Sequence, residues 1–390
     1  MSSVIKVGHS RAFGNVLSGC SVIVAIPVRN EEEHIVDCLL ALKHQSYRAR
    51  YGVVLLLNNC IDRTLDKVRR LRSQLSMPVL MLDVTLPPKA ANAGYARRLA
   101  LSCAALHAPD DGILMTTDAD GRVYPDWIAA NAAAITAGAD AVAGQIELDQ
   151  ADADRIPARL HEDDAKECAY DRLLDQIHTY LDPDPFDPWP RHTDHSGASI
   201  AVTLAAYHRA GGIPPIPSAE DRAFIEALRR VDGRVRHAPE VRVVVSGRIL
   251  GRALGGMADT IRRRLAKPDE TLDERLEPAG IAARRAWMRS LLRTVWLGRK
   301  GSTDSLKNLS RRAKISEREI KTFSRSAYFG LAWAAFEARS PVLRHQSVLT
   351  MNLAAETRRA QTILDFVRNG LSGGTGGQVD IRESDIDEVA

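Results

Sequence analysis

Two carboxylates one residue apart, Asp118 and Asp120, close the apolar run Ile113-Leu-Met-Thr-Thr. Oxygen donors in this pattern suit Mg2+ or Mn2+, which keep several waters and bind through one or two carboxylates plus substrate phosphates. An ion held there would neutralise a departing diphosphate and act as a Lewis acid on the leaving group. Asp-X-Asp-Gly is also an ordinary turn sequence, so the motif alone decides little. A second acidic pair, Glu220-Asp221, follows Pro217-Ser218-Ala219. Acids are favoured in the first turn of a helix, where they face the positive end of its dipole, and that reading needs no chemistry. Beyond the last apolar run, 241–246, come Arg248 and Arg252. A guanidinium fork there could bind a diphosphate bidentately, or simply face solvent. His192-Thr-Asp194-His195 offers metal-ligand types, but adjacent loop positions are a poor cage. Contact of His195 with an acceptor or a phosphate is the better reading.

These residues need elements to hold them. Short apolar runs (21–28, 52–57, 79–84, 112–117, 139–147) alternate with helical patterns (31–44, 64–75, 90–106, 127–137). Strands that are apolar throughout, alternating with helices, imply a parallel sheet covered on both faces. Ligands of such sheets bind beyond the carboxyl ends of the strands, where the polar residues above fall. An acidic helix pattern follows at 158–180, then the Pro/Asp-rich stretch 182–190, which forbids regular structure and reads as a surface loop, either a lid or a plain connection. A strand at 196–202, helices at 205–210 and 219–231, and a last strand at 241–246 complete the alternation. From 251 onward the chain reads as helical and basic, and 371–390, Gly-rich and acidic, as a disordered tail. Within that region 306–323 has helix-turn-helix-like spacing. It reads as a basic amphipathic pair packed on the catalytic domain in preference to a DNA reader, and Trp333 and Phe336 read as core.

With 390 residues, 45% hydrophobic, the chain can bury a large core in two domains, or in one domain with an appendage. A formal charge of +4 is too small to argue for nucleic acid or a membrane surface. Its five cysteines form no CxxC pair, so reduced, buried thiols are expected and neither disulfides nor structural zinc. The start reads without a signal peptide, and no run reaches about 18 uninterrupted apolar residues, so a cytoplasmic protein is expected, with peripheral membrane contact still possible.

Further motifs stand in order along the chain. Pro27-Val-Arg29-Asn30-Glu31 follows the first strand, and Asn58-Asn59-Cys60-Ile61-Asp62 ends the second. Lys89-Ala-Ala-Asn92-Ala-Gly94 comes next, and after Asp118-Ala-Asp120 come Gly197-Ala-Ser-Ile-Ala-Val, Gly211-Gly212 and Glu220-Asp221. Together, over residues 22–248, these resemble the family-2 glycosyltransferases, inverting enzymes of the GT-A fold. The resemblance implies an α/β fold with a mixed, mainly parallel sheet and helices on both faces. It implies that Pro27, Arg29 and Glu31 lie under the base and ribose of a nucleoside diphosphate sugar. Asn58 matches an aspartate that family members often use to accept a base N–H; an amide also donates and carries no charge, so uridine is only the default base. Lys89 and Asn92 would fall in the segment touching the nucleotide or the metal-bearing strand. Asp118 would face the ribose or the ion, Asp120 the ion itself, and Asp221 would be the general base, with Glu220 an acceptor or orienting contact.

The expectation is therefore a catalytic domain over 20–250, with a donor half at 20–147 and an acceptor half at 190–250, then a helical region over 251–370. The Gln-x-x-Arg-Trp signature of processive synthases is missing, which argues for transfer of one sugar to a hydroxyl on a glycan, a lipid-linked or a small-molecule acceptor. Two rivals are a sugar nucleotidyltransferase, which should carry a Gly-rich basic loop after the first strand, and a catalytically inactive homologue serving as a binding module.

Overall fold

The apolar runs become the middle of a sheet in a computed structural model of the chain, which describes residues 9–14, 17–248, 251, 256–298 and 302–372. Its nine strands are β1 (His9–Gly14), β2 (Val22–Val28), β3 (Tyr51–Asn58), β4 (Val79–Thr85), β5 (Ile113–Thr116), β6 (Arg122–Val123), β7 (Ala141–Leu148), β8 (Ile200–Thr203) and β9 (Val235–Val245). They lie in the order β1-β4-β3-β2-β5-β8-β7-β9-β6. Strands β4, β3, β2 and β5 pair in parallel, and β8 then enters antiparallel between β5 and β7. Every residue of β3 is buried, as a strand covered on both faces requires.

Alternate residues of these strands serve opposite faces because the strand period is two. Val22, Val24 and Ile26, with Val53, Leu55 and Leu57, meet Ile35, Cys38, Leu39 and Leu42 of helix α1 (Ile35–Lys43), Val68 of α2 (Thr64–Leu71) and Trp127 of α4 (Trp127–Thr136). Ile23, Ala25, Val54 and Leu56 meet the small face of α3 (Ala93–His107), formed by Ala96, Ala100 and Ala104. Phe224, Ile225 and Leu228 of α8 (Glu220–Arg230) join the same layer; burying a side chain the size of Phe224 contributes a few kcal/mol, about 3–5 by truncation to alanine. Two shorter helices, α5 (Gln150–Ala153) and α7 (Leu204–Arg209), follow β7 and β8. Gly94, in the first turn of α3, must lack a side chain, since a Cβ there would strike the backbone of Ile216.

The chain divides into two compact units: one holds residues to Ile156, 194–229 and 233–263, and the other 157–193, 230–232 and from 264. Helix α9 (Met257–Ala266) runs across the division. The second unit contains α6 (Ala158–Leu181), α10 (Ala279–Trp296), α11 (Ser302–Ala313), α12 (Glu317–Phe323), α13 (Phe329–Arg339) and α14 (Leu353–Ser372). The acidic helix expected at 158–180 thus groups with the C-terminal helices. Its buried stripe of Tyr170, Leu174, Ile177 and Leu181 meets Ala283 and Ala286 of α10 and Ile363 and Leu364 of α14. Leu306, Leu309 and Ile320, the apolar positions of the helix-turn-helix-like stretch, are spent on Met288, Leu292 and Phe336 within this unit, where Trp333 stacks on Phe336.

The residues from 182 to 190 form neither helix nor strand, as their prolines require. Cys20 and Cys38 are buried free thiols, whereas Cys168 is exposed, against the expectation of burial. Among the described residues no helix is long and apolar enough to cross a membrane. The expected disordered tail lies, from 373 on, outside the described residues, as does Arg252.

Candidate active site

Strand β5 stops at Thr116, and the chain turns over Asp118-Ala-Asp120, where the Gly121 N–H closes the turn on the Asp118 carbonyl at 3.0 Å. The turn reading and the carboxylate reading therefore both hold. Asp118 Oδ1 accepts from Arg97 Nη2 at 2.6 Å. Arg97 comes from the buried face of α3, only 4% exposed, and spends three further N–H contacts on Glu220 Oε1 (2.9 Å), Thr116 Oγ1 (2.8 Å) and the Gly197 carbonyl (2.8 Å). Burial alone would lower the Arg97 pKa, but the carboxylates of Asp118 and Glu220 outweigh it and hold it above its ordinary value. Gly197 has no room for a side chain, because a Cβ there would overlap the Arg97 guanidinium. Arg97 was not singled out from the sequence. The signal was present: positions 97, 100, 101 and 104 share one helical face, and only the first is charged.

Asp120 faces a second arginine. Arg248 follows β9, and its Nη2 lies 2.9 Å from Asp120 Oδ2. The same guanidinium grips Glu31 with two bonds, Nη1 to Oε2 at 2.8 Å and Nη2 to Oε1 at 2.7 Å. Its segment is pinned by Asp152 Oδ2, which accepts from Ser246 Oγ and from the Gly247 N–H, each at 2.9 Å. Burial, then repulsion from Asp118, pushes the Asp120 carboxyl up to about 7, although Arg248 opposes the rise.

Glu220 and Asp221 open α8 as the dipole reading requires, yet they are differently employed. Glu220 is 5% exposed and turned to Arg97, whereas half-buried Asp221 accepts from the Gly197 N–H through Oδ2 and from the Arg222 N–H through Oδ1, both at 2.8 Å. Gly197 thus meets Arg97 with its carbonyl and Asp221 with its N–H. The Asp118-Ala-Asp120 turn and the Glu-Asp pair are joined in one hydrogen-bond network.

A groove of about 590 Å3 is lined by Arg29, Asn59, Thr85, Leu86, Pro87, Pro88 and Ala91. Arg29 is exposed there and donates to the Ala91 carbonyl at 2.5 Å. Asn59 takes the left-handed conformation (φ 52°), which asparagine tolerates, and its amide brackets Leu86 by accepting from its N–H (2.9 Å) and donating to its carbonyl (3.1 Å). Pro27, half-buried, and Asn58, 1% exposed, end β2 and β3. Asn58 is not among the groove-lining residues, and its Oδ1 is buried without a hydrogen-bond partner among the described residues. Asn92 caps α3, accepting from the Tyr95 N–H at 3.0 Å, and its Nδ2 donates to the carbonyl of exposed Lys89.

The donor set suits an oxygen-preferring ion. Asp118 and Asp120 each commit one carboxylate oxygen to a guanidinium, which leaves the second oxygens for a cation that completes its shell with water and phosphate. Among the described residues no three His, Cys, Asp or Glu side chains gather as a metal-binding group. Asp194 instead accepts from the Ile146 N–H at 3.1 Å, and His195 Nε2 lies 2.8 Å from His237 Nε2.

Residues 23–196 match the family described as Glycosyl transferase family 2. No curated protein matches the chain. Among solved structures, Staphylococcus aureus TarS 1–349 in complex with UDP is 17% identical, covering 93% of this chain and 94% of that one, with a TM-score of 0.43. TarS 1–349 with UDP-GlcNAc is also 17% identical, covering 90% and 92%, with a TM-score of 0.45. The mannosyltransferase PcManGT from Pyrobaculum calidifontis, in complex with GDP-Man and Mn2+, is 19% identical, covering 82% and 88%, with a TM-score of 0.42. These scores are low, and the reading rests on the sequence match: residues 23–196 are similar to glycosyl transferase family 2, which makes the chain a glycosyltransferase.

Proposed function

We propose that the chain moves a single sugar, with inversion, from a nucleoside diphosphate sugar to an acceptor hydroxyl, in a cytoplasmic setting that would meet any lipid-linked acceptor from the membrane surface. The supporting observation is the Arg97 junction. One buried guanidinium binds Asp118 on the donor side and both Glu220 and the Gly197 carbonyl on the acceptor side. In this reading residues 20–147 serve the donor and 190–250 the acceptor. Asp118 and Asp120 would hold Mg2+ or Mn2+, which when bound supplies positive charge to the departing diphosphate. Arg29 and the Asn59–Leu86 bracket line the space offered to the nucleotide. Of the acidic pair, Glu220 already neutralises Arg97. That leaves Asp221 to take the acceptor proton, with its carboxylate fixed by the Gly197 and Arg222 N–H groups.

A nucleotidyltransferase would cradle a triphosphate in a Gly-rich loop after β2. Here that position holds Pro27-Val-Arg-Asn-Glu, with Glu31 bound to Arg248. A thermal-shift panel of UDP, GDP, ADP and CDP, with and without Mn2+, tests the donor reading. At least one diphosphate should stabilise the protein, and more so with the ion; no stabilisation, or none that depends on Mn2+, would remove it. Asp221→Asn should keep that stabilisation and lose diphosphate release from the matching sugar nucleotide. Unchanged release would take the base role from Asp221.

A further inference from the structure

The two arginines on the metal-motif turn are held differently. Arg97 is 5% exposed and fixed by four acceptors, whereas Arg248 is 23% exposed and sits at the end of β9 with only carboxylates before it. Its guanidinium lies against Asp120, one of the two carboxylates offered to the cation, at 2.9 Å. A divalent ion on Asp120 would meet a positive group at contact distance, and like charges that close repel strongly outside bulk water. Glu31 meanwhile keeps Arg248 at the site through two bonds, so the side chain can leave Asp120 without leaving the pocket. A diphosphate arriving with its cation supplies the acceptor that a displaced guanidinium fork needs.

We propose that Arg248 is an exchangeable counter-ion: it neutralises Asp120 while the donor site is empty, and yields Asp120 to the cation by moving to the diphosphate, with Glu31 as its pivot. This rests on the metal-dependent donor reading above. It makes cation and diphosphate binding mutually reinforcing, because each relieves a cost the other meets alone.

The test measures two affinities in wild type, Arg248→Gln and Arg248→Lys, using the full chain with circular dichroism as the check on folding. Free Mn2+ is counted by electron paramagnetic resonance without nucleotide, and UDP and GDP are titrated calorimetrically at saturating Mn2+. Arg248→Gln should bind Mn2+ alone about tenfold more tightly and the diphosphate about tenfold more weakly, with Arg248→Lys between it and wild type. Opposite signs for the two ligands are what a purely structural role would not give. If wild type takes up Mn2+ and the variants bind it no more tightly, the exchange is wrong and the metal reading stands. If none of the three takes up Mn2+, the metal reading itself has failed and the exchange falls with it.

Discussion

Replacing Arg97 by methionine keeps the length of the side chain on α3 and removes its charge and every donor. Four acceptors then lose their partner: Asp118, Glu220, Thr116 Oγ1 and the Gly197 carbonyl. Their costs differ. Asp118 is 35% exposed at the side chain and can rehydrate, so its share is small. Glu220 is 6% exposed at the side chain, and stranding a buried charge by deleting its partner costs about 3–5 kcal/mol. The buried hydroxyl and carbonyl would add roughly 1–3 kcal/mol each if left dry, but relaxation and entering water make the sum far from additive, so about 4 kcal/mol is expected overall. At roughly 2–4 °C per kcal/mol for a unit of this size, the melting transition of the sheet-bearing unit should fall by about 10 °C.

The control that isolates the cause is the double variant Arg97→Met with Glu220→Gln, which strands no buried charge. Scanning calorimetry of wild type, both single variants and the double variant closes the cycle, and the double should recover about 2 kcal/mol of the loss. A single variant that melts within 2–3 °C of wild type, at about 1 kcal/mol or less, would show that the junction carries no stability worth the name. A double variant no more stable than Arg97→Met would show that the loss lies in packing and not in the stranded carboxylate.

Gly197→Ala should act on the same junction from the other side. Its Cβ would overlap the Arg97 guanidinium, costing about 1–3 kcal/mol and weakening Mn2+-dependent nucleotide binding, and a variant with wild-type melting and binding would contradict the crowding. Asp232 accepts from the Phe329 and Gly330 N–H groups at 2.7 and 2.8 Å and so caps α13 from a distant point in the chain; Asp232→Ala should lower the stability of the helical unit by about 1–2 kcal/mol in urea unfolding. Burial lowers the pKa of His178 from 6.5 to about 4, with Arg289 adding to the effect and Asp182 opposing it. The native state then binds fewer protons than the unfolded one between those values, so stability is full above 6.5 and falls as the pH drops toward 4. In His178→Gln the melting temperature should fall less steeply across that window, and parallel curves would remove His178 as the cause.

Much of this architecture could be read before any coordinates, because its strands are long apolar runs with few competing readings. Residues 21–28, 52–57 and 79–84 became β2, β3 and β4 within one residue at each end. The failures share a cause: the information lay in a partner and not in the segment. His9–Gly14 has no apolar run, and forms β1 by pairing with the edge of β4. The first half of β9 was missed because Pro239 and Glu240 interrupt it. The register of β7 jumps from Gly144↔Ala238 to Gln145↔Arg242, so those two residues sit in a bulge where proline is tolerated. Helix α6 was recognised as a helix, but periodicity reveals a buried face and not what covers it, and Leu174 and Ile177 are covered by the much later helices α10 and α14.

The candidate site was legible to the same depth. Acidic residues announce themselves at the ends of elements: Asp118 and Asp120 follow a strand, and Glu220 and Asp221 open a helix. Of their counter-charges, Arg248 drew notice by following the last strand, whereas Arg97 reads as surface unless its helical face is inspected. The two arginines nonetheless decide what the carboxylates can do. Arg97 is locked among four acceptors and cannot leave without stranding Glu220, so the orientation of Asp118 is a property of the folded core. The Arg248 guanidinium bonds Glu31 and Asp120 and remains more exposed, so under the proposed exchange the charge on Asp120 is a property of what is bound. A site that must take in a charged donor and release a charged product needs both kinds of partner. On the proposed exchange one holds the geometry while the other gives way, and neither alone would let the same two aspartates be ordered in the empty protein and available in the loaded one.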